Sequence, residues 1–181
     1  LDRILVPAVI HPDYRTSKRP YTTAIKTMLG SYPIIKTAHK VLSFTKPIIP
    51  IKDMSEFIRS PYIGGWNMEV NERALLDIRL RKTGDLNVTL KTVLYYADQE
   101  GKSYYCPILS NYISLLINFI KELPSKARPN KWAELFSAMQ KCIGWGEGRD
   151  LSSEEFQTME AWNKLLGILA SLELVTNSIT S

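Results

Sequence analysis

"SPYIGGWNMEVNERALLDIRLRK", residues 60 to 82, sets a proline and a glycine pair in front of a run of mixed charge. It reads either as an acidic site built on Glu69, Glu72 and Asp77 or as one turn of scaffolding. Helical periodicity separates the two. From Trp66 onward Glu69, Arg73, Asp77 and Arg81 fall at successive i, i+4 steps, a structural ladder of alternating sign on one face. Each rung is worth about 0.2 to 0.5 kcal/mol. Val70, Ala74, Leu75 and Ile78 then form an apolar stripe expected to face the core, and Glu72 points away from the other acids. Acid–base chemistry needs a carboxyl whose pKa can rise, whereas arginines on both sides keep these acids ionised. The stretch is therefore read as a charged helix entered through Gly64-Gly65 and closed at Thr83-Gly84.

Outward from that helix the chain is punctuated as a series of helices. "SYPIIKTAHKVLSF" begins with Ser31 as cap and Pro33 in the first turn, with Ile34, Ala38, Val41 and Leu42 on one face. "KPIIPIK" is an extended connector because of its prolines. In "DMSEFIRSP", Asp53 and Glu56 have capping-box spacing and Pro61 ends the helix. "TLKTVLYYAD" is a short helix capped by Thr89, with a strand as the alternative through Leu86, Val88 and Leu90. "CPILSNYISLLINFIKELP" is hydrophobic nearly all round, through Leu109, Tyr112, Leu116, Phe119 and Ile120, and is expected at the centre of the core. "RPNKWAELFSAMQKCIGW" has Asn130 as cap and Trp132, Leu135, Phe136, Met139 and Ile143 at helical spacing. "LSSEEFQTMEAWNKLLGILASLEL" opens with Ser152 and Glu155 as a capping box and is expected to bury Phe156, Met159, Trp162, Leu166 and Leu169. Between the last two, "GWGEGRD" is a loop. A further short helix is expected between Pro20 and Gly30. The expected fold class is all-α, a compact bundle of six or seven helices with at most trace strand.

Length and composition fit one domain. The chain has 181 residues, of which 45% are hydrophobic, enough to bury about 70% of the unfolded surface. No apolar run is long enough to span a membrane and no signal-peptide pattern is present, so a soluble, cytoplasmic protein is expected. The start at Leu1 and the stop at "NSITS" suggest an internal fragment of a longer protein. Cys106 and Cys142 stand outside any CxxC pair and read as small buried hydrophobes. With His11 and His39 as the only histidines there is no metal-ligand spacing, and His39 reads as a packed or surface residue. No phosphate-binding GK[ST], nucleophile context or cofactor motif occurs, so no catalytic residue, metal or cofactor is assigned.

The net charge of +5 is unevenly placed: residues 1 to 52 hold nine Lys or Arg and two acids, the remainder fourteen and sixteen. A basic segment of this kind suits a polyanion. The candidate phosphate contacts are Arg15, Lys18, Arg19, Lys26, Lys36 and Lys40. Tyr14 and Tyr21 are interleaved with them as candidate stacking residues. A solvated basic face is the plain alternative. The division expected is a basic segment over 1–52 and a helical core over 53–181.

Three stretches taken in order, "RPYTTAIKTMLGSYPIIKTAHKVL", "DMSEFIRSPYIGGWNMEVNERALLDIRLR" and "KWAELFSAMQKCIGWGEGRDLSSEEFQTMEAWNKLLGILASL", resemble a bacterial family of DNA repair proteins similar to the AddB and RecC subunits of helicase-nuclease complexes. In that family a helicase-like region of the UvrD type precedes a PD-(D/E)xK exonuclease domain. The second stretch resembles the helical insertion of the second motor domain. The resemblance implies a non-catalytic accessory subdomain in DNA repair and recombination, shaping a DNA channel through sequence-independent phosphate contacts. It also implies a complementary helicase-nuclease subunit as partner, and the fragment itself is expected to be monomeric. The chain carries neither a Walker motif nor a nuclease motif, so the engines of such a parent lie elsewhere. One departure is "GWGEG" at Gly144 to Gly148 where the family has "GWPG", which is expected to loosen that loop. A second hypothesis is a subunit-docking module without DNA contact, using Trp66, Trp145 and Tyr104 at turns. A third, a self-contained enzyme, has only the ladder acids behind it.

Overall fold

The computed structural model of the protein describes residues 28 to 179. The short helix expected before Gly30, together with Tyr14, Arg15, Lys18, Arg19, Tyr21 and Lys26, lies outside the described residues. After a single 3-10 turn over Leu29–Ser31 the chain forms seven α-helices among the described residues: α1 Pro33–Ser43, α2 Ile51–Ile58, α3 Trp66–Arg81, α4 Leu90–Ala97, α5 Pro107–Lys121, α6 Pro129–Lys141 and α7 Ser153–Ile179. Two-residue strands β1 (Ile49–Pro50) and β2 (Asn87–Val88) pair antiparallel, Ile49 opposite Val88. The all-α expectation is met. The ambiguous 86–90 stretch contains both of its alternatives, since Val88 is in the bridge and Leu90 starts α4.

Proline chemistry sets several boundaries. Helices α1, α5 and α6 each begin with Pro at the first position, where the missing N–H costs nothing and the fixed φ suits the helix. Thr89 caps α4 by accepting from Thr92 N. The capping box of α7 is complete: Glu155 N donates to Ser152 Oγ (3.2 Å) and Ser152 N to Glu155 Oε2 (2.9 Å).

Three expected caps are not formed. Ser31 donates to Met28 O, and Tyr32 occupies the cap of α1. Asn130 already lies inside α6, which starts one residue earlier behind Arg128. Asp53 and Glu56 do not form a capping box, because Pro50 caps α2 and both carboxylates turn to Lys40 of α1.

Core packing runs through every helix. Ile34, Ile35, Ala38 and Val41 of α1 meet Met54, Phe57 and Ile58 of α2, Leu76 and Leu80 of α3, and Leu109, Ile113 and Leu116 of α5. Helix α1 thus supplies core although it belongs to the basic segment. Helix α5 buries only one face; Tyr112, Phe119 and Ile120 are half-buried and Leu115 is exposed. Helices α6 and α7 pack together, and Trp162 Nε1 donates to Gln140 Oε1 across them (3.0 Å). In α7, Trp162 and Leu166 are buried while Phe156 faces solvent, contrary to its expected burial. The buried face runs through Thr158, Trp162 and Leu166 at i, i+4 and i+8, and Phe156 lies on the opposite side.

Two loops lock the bundle together. The α2–α3 turn and the α6–α7 loop share three main-chain hydrogen bonds: Gly64 N to Ile143 O (3.1 Å), Gly146 N to Tyr62 O (2.8 Å) and Asn67 N to Gly148 O (3.2 Å). Gly148 lies so close that a Cβ built on it would meet the carbonyl oxygens of Pro61 and Ile63. Gly65 adopts φ 71° as it starts α3, a conformation that costs any other residue about 1 kcal/mol or more. The "GWGEG" loop is therefore clamped, not loosened, because its backbone is hydrogen-bonded to a second loop.

Replacing Gly148 by Ala is expected to destabilise the fold by about 2 kcal/mol or more, by overpacking against rigid backbone. Gly167 of α7 has open space around it, so Gly167→Ala is expected to stabilise by about 0.5 to 1 kcal/mol. Urea midpoints of the two variants at constant slope check both signs.

Candidate nucleic-acid interface

Of the six candidate phosphate contacts, Lys36 and Lys40 fall on described residues, one turn apart on α1. Both line a groove of about 360 Å³ together with Glu56, Arg59, Ser60 and Tyr62. They differ in what they can do. Lys36 is exposed and takes part in no ion pair among the described residues. Lys40 is held by Asp53 (2.8 Å) and Glu56 (2.5 Å). Burial alone would push its pKa down, but the hydrogen bonds and charges of the two acids outweigh burial and raise it. Glu56 is lowered by the same hydrogen bond. The trio carries a net negative charge, so Lys40 fixes α1 on α2 while Lys36 stays exposed and without an acid partner among the described residues.

The ladder helix is rotated relative to its expectation. Glu69, Arg73 and Asp77 are 4%, 0% and 5% exposed, whereas Val70, Leu75 and Ile78 are 39%, 39% and 48% exposed. The apolar stripe faces solvent and the charges face inward. Specific buried acceptor work explains the inversion. Helix α5 starts at Pro107 with no side-chain cap of its own. Glu69 takes that role from a distance: Oε1 accepts from Ile108 N (2.6 Å) and Oε2 from Leu109 N (3.0 Å). An anion at a helix N-terminus satisfies orphan donors and the macrodipole at once. The backbone departs from helical values at Glu69 itself (φ −123°, ψ 20°), where the first turn of α3 is offset from the rest.

Arg73 completes this network. Its Nε and Nη2 donate to Glu69 Oε2 (3.1 and 3.0 Å), and Nη2 donates to Gly64 O (2.6 Å). Burial lowers the Arg73 pKa against the opposing pull of Glu69. The buried pair thus ties the glycine turn, α3 and α5 at one point. Asp77 does the same toward α2: Ser55 Oγ and Arg81 Nε (3.1 Å) donate to it, and Arg59 Nε forms an ion pair with it at 3.2 Å. Arg81 stays half-exposed, so the ladder is buried over three of its four members.

Glu155 forms a third cluster that sequence reading credited only with a cap. It also accepts from Arg149 Nη2 (2.6 Å) and from Tyr62 Oη (2.8 Å), and the Arg149 guanidinium lies 5.2 Å from the centre of the Tyr62 ring. The Arg149 hydrogen bond holds the Glu155 carboxyl down at about 2. The same contact raises the Arg149 pKa, while burial and then Glu155 raise that of Tyr62. The visible signal for this cluster was only the proximity of "GRD" to the "SSEE" box. Tyr62, 93 positions before Glu155, gave none.

The turn aromatics are placed differently from the docking expectation. Trp145 is buried and its Nε1 donates to Ile34 O (3.0 Å), because the clamped loop presses it against α1. Trp66 and Tyr104 are half-buried, and Tyr104 Oη donates to Gln99 Oε1 (2.7 Å). His39 is exposed, with its ring edge-on to Trp162 at 5.1 Å. Cys106 is fully buried and burial pushes its thiol up to about 12, which keeps it protonated. Cys142 is half-buried, and burial raises its thiol too. Among the described residues no group of His, Cys, Asp or Glu is arranged to hold a metal ion, and no helix is long and apolar enough to cross a membrane. Comparison of the chain with protein families, curated proteins and solved structures finds no match.

Glu69→Ala leaves Arg73 buried without its counter-ion and α5 without its cap, and is expected to cost about 3 to 5 kcal/mol. Arg81→Ala, at a half-exposed pair, is expected to cost at most about 1 kcal/mol. Urea denaturation of both separates buried from exposed rungs. For Glu155 the folded pKa lies below the ordinary 4.5, so its contribution is present above that pH and fades as pH falls toward about 2. The stability gap between the wild type and Glu155→Gln is therefore expected to narrow from pH 6 to pH 3.

Proposed function

We propose that this chain is a non-catalytic helical accessory unit of a DNA repair and recombination protein of the helicase-nuclease type. In this reading it resembles the helical insertion of a UvrD-type second motor domain and helps shape a DNA channel through sequence-independent phosphate contacts. One observation carries the reading. The three stretches that resemble the AddB- and RecC-like family converge at one place. Thr37 of the first meets Ser60 of the second (2.9 Å), Trp145 of the third donates to Ile34 O of the first, and the second and third share the main-chain clamp. Residues that determine one junction are the ones expected to keep a recognisable pattern, whatever the surface around them does.

The chemistry of the charged groups supports an accessory role. Glu69, Asp77 and Glu155 each accept from backbone or arginine donors, an arrangement that fixes the carboxylates in place. Lys36, exposed beside Arg59 at the groove, is the described residue best placed for a phosphate. Contacts of this type position a nucleic acid without reading its sequence.

A subunit-docking module without DNA contact is the second reading, and one observation favours it. Val70, Leu75 and Ile78 form an outward apolar stripe on α3, with Met68 at 74% exposure beside it. Such a stripe suits a protein neighbour better than water.

Anisotropy of a fluorescent forked DNA across a salt series distinguishes the readings. The accessory-unit reading expects binding at low salt that falls steeply as salt rises and is equal for unrelated sequences. Lys36→Glu, alone and with Lys18→Glu and Arg19→Glu, is expected to weaken binding and reduce the log–log salt slope by about 1 per lost contact, with unchanged melting. No binding at low salt, or affinity indifferent to all three reversals, overturns it and leaves the docking module.

A further inference from the structure

Two adjoining hollows run along the bundle where the end of α1, the C-terminal half of α5, and helices α6 and α7 meet. Their volumes are about 640 and 420 Å³, and they share Thr45 and Ile120 as a common wall. The larger has an apolar floor that includes Leu42, Trp132, Phe136 and Leu169, all half-buried, and no charged residue lines it. The Trp132 and Phe136 rings lie 5.5 Å apart at 31°, so they pack on one another instead of standing open as separate plates. The smaller hollow is lined by Phe44, Ile117 and three lysines, Lys46, Lys91 and Lys121.

Those lysines form the charged rim of the smaller hollow. They come from three different segments and none is in an ion pair among the described residues; Lys121 Nζ donates only to the neutral Asn118 (3.2 Å). Among the described residues the groove therefore pairs an open apolar trough with three lysines at one end that no acid neutralises.

We propose that this groove docks an amphipathic helical segment of a partner protein, with apolar side chains at i, i+3 or i+4 and i+7 in the trough and Asp or Glu at the end lying over Lys46, Lys91 and Lys121. Helix-in-groove recognition uses this division of labour: apolar anchors supply affinity and rim charges set direction and on-rate. Nucleic acid fits less well. A phosphate backbone needs cations along its whole track, whereas here they occupy one end, and aliphatic side chains fill much of the floor. The inference stands apart from the phosphate contacts of Lys36, which lies outside this groove, so either can fail without the other.

The test is selection of a displayed library of random 16-residue peptides on the full chain, counter-selected on Phe136→Glu. Enriched peptides are expected to share helically spaced apolar residues with acids clustered at one end. The best of them is expected to lose tenfold or more in affinity with Lys91→Glu plus Lys46→Glu, which touch only the rim, and to lose binding with Phe136→Glu at unchanged circular dichroism. If Phe136→Glu does not fold, Leu123→Ser replaces it in both steps. No enrichment, enrichment of basic or uncharged peptides, or binding indifferent to the lysine reversals overturns the proposal. Three other results overturn it by assigning the trough to a different occupant. These are Phe136-dependent binding of oligothymidine, Phe136-dependent binding of anionic vesicles, and a dimer in sedimentation that Phe136→Glu dissolves.

Discussion

The clamp between the α2–α3 turn and the α6–α7 loop is the constraint on which the rest of this bundle depends. Helices pack well over a range of angles, so side-chain burial alone leaves their relative placement soft. Main-chain hydrogen bonds are not soft. Those joining residues 62–67 to 143–148 require two backbones to approach within van der Waals contact, which Gly148 permits and a side chain there would prevent. Once they form, Trp145 is driven onto α1, Tyr62 is brought to Glu155, and Gly64 offers its carbonyl to Arg73. Three side-chain hydrogen bonds thus radiate from one backbone junction.

The inversion of α3 follows from the same junction. An amphipathic helix ordinarily turns its apolar stripe inward because burial of each large aliphatic side chain is worth about 1.5 to 3 kcal/mol. Here the inward face must meet an uncapped helix start at Ile108 and Leu109 and a serine and an arginine from α2. Leaving such donors buried and unpaired costs about 1 to 3 kcal/mol each, more where charge is involved. Several donors answered by Glu69 and Asp77 outweigh the partial exposure of Val70, Leu75 and Ile78. The outward stripe is the visible residue of that balance.

Local signals in the sequence were readable because their physics is local. Pro33 near its helix start, Thr89, the Ser152–Glu155 box and the Gly64-Gly65 turn act within four residues of themselves, and each appears where expected. The i, i+4 spacing of Glu69, Arg73, Asp77 and Arg81 was equally legible, but spacing fixes only which residues share a face. Which way that face points depended on donors far along the chain. Asp53 and Glu56 were misread for the same reason, since the spacing of a capping box is also the spacing of two carboxylates on one face, and Lys40 claimed both. Of the candidate interface, Lys36 kept an exposed charge while its neighbour one turn on did not, a difference set by α2 and invisible in α1.

The clamp also has a kinetic meaning. Its partners Gly64 and Ile143 are roughly 80 positions apart, and closing a flexible loop of that length costs about 4 kcal/mol of chain entropy before any contact rewards it. Helices α3 to α5, which lie between the two loops and contact one another over shorter spans, are the natural early structure. The clamp then acts as a late latch, and a polypeptide emerging in order from the ribosome cannot close it until the α6–α7 loop has been made. Until that moment Glu69 has its helix to cap, but the Tyr62 carbonyl and the Gly64 N–H have only water.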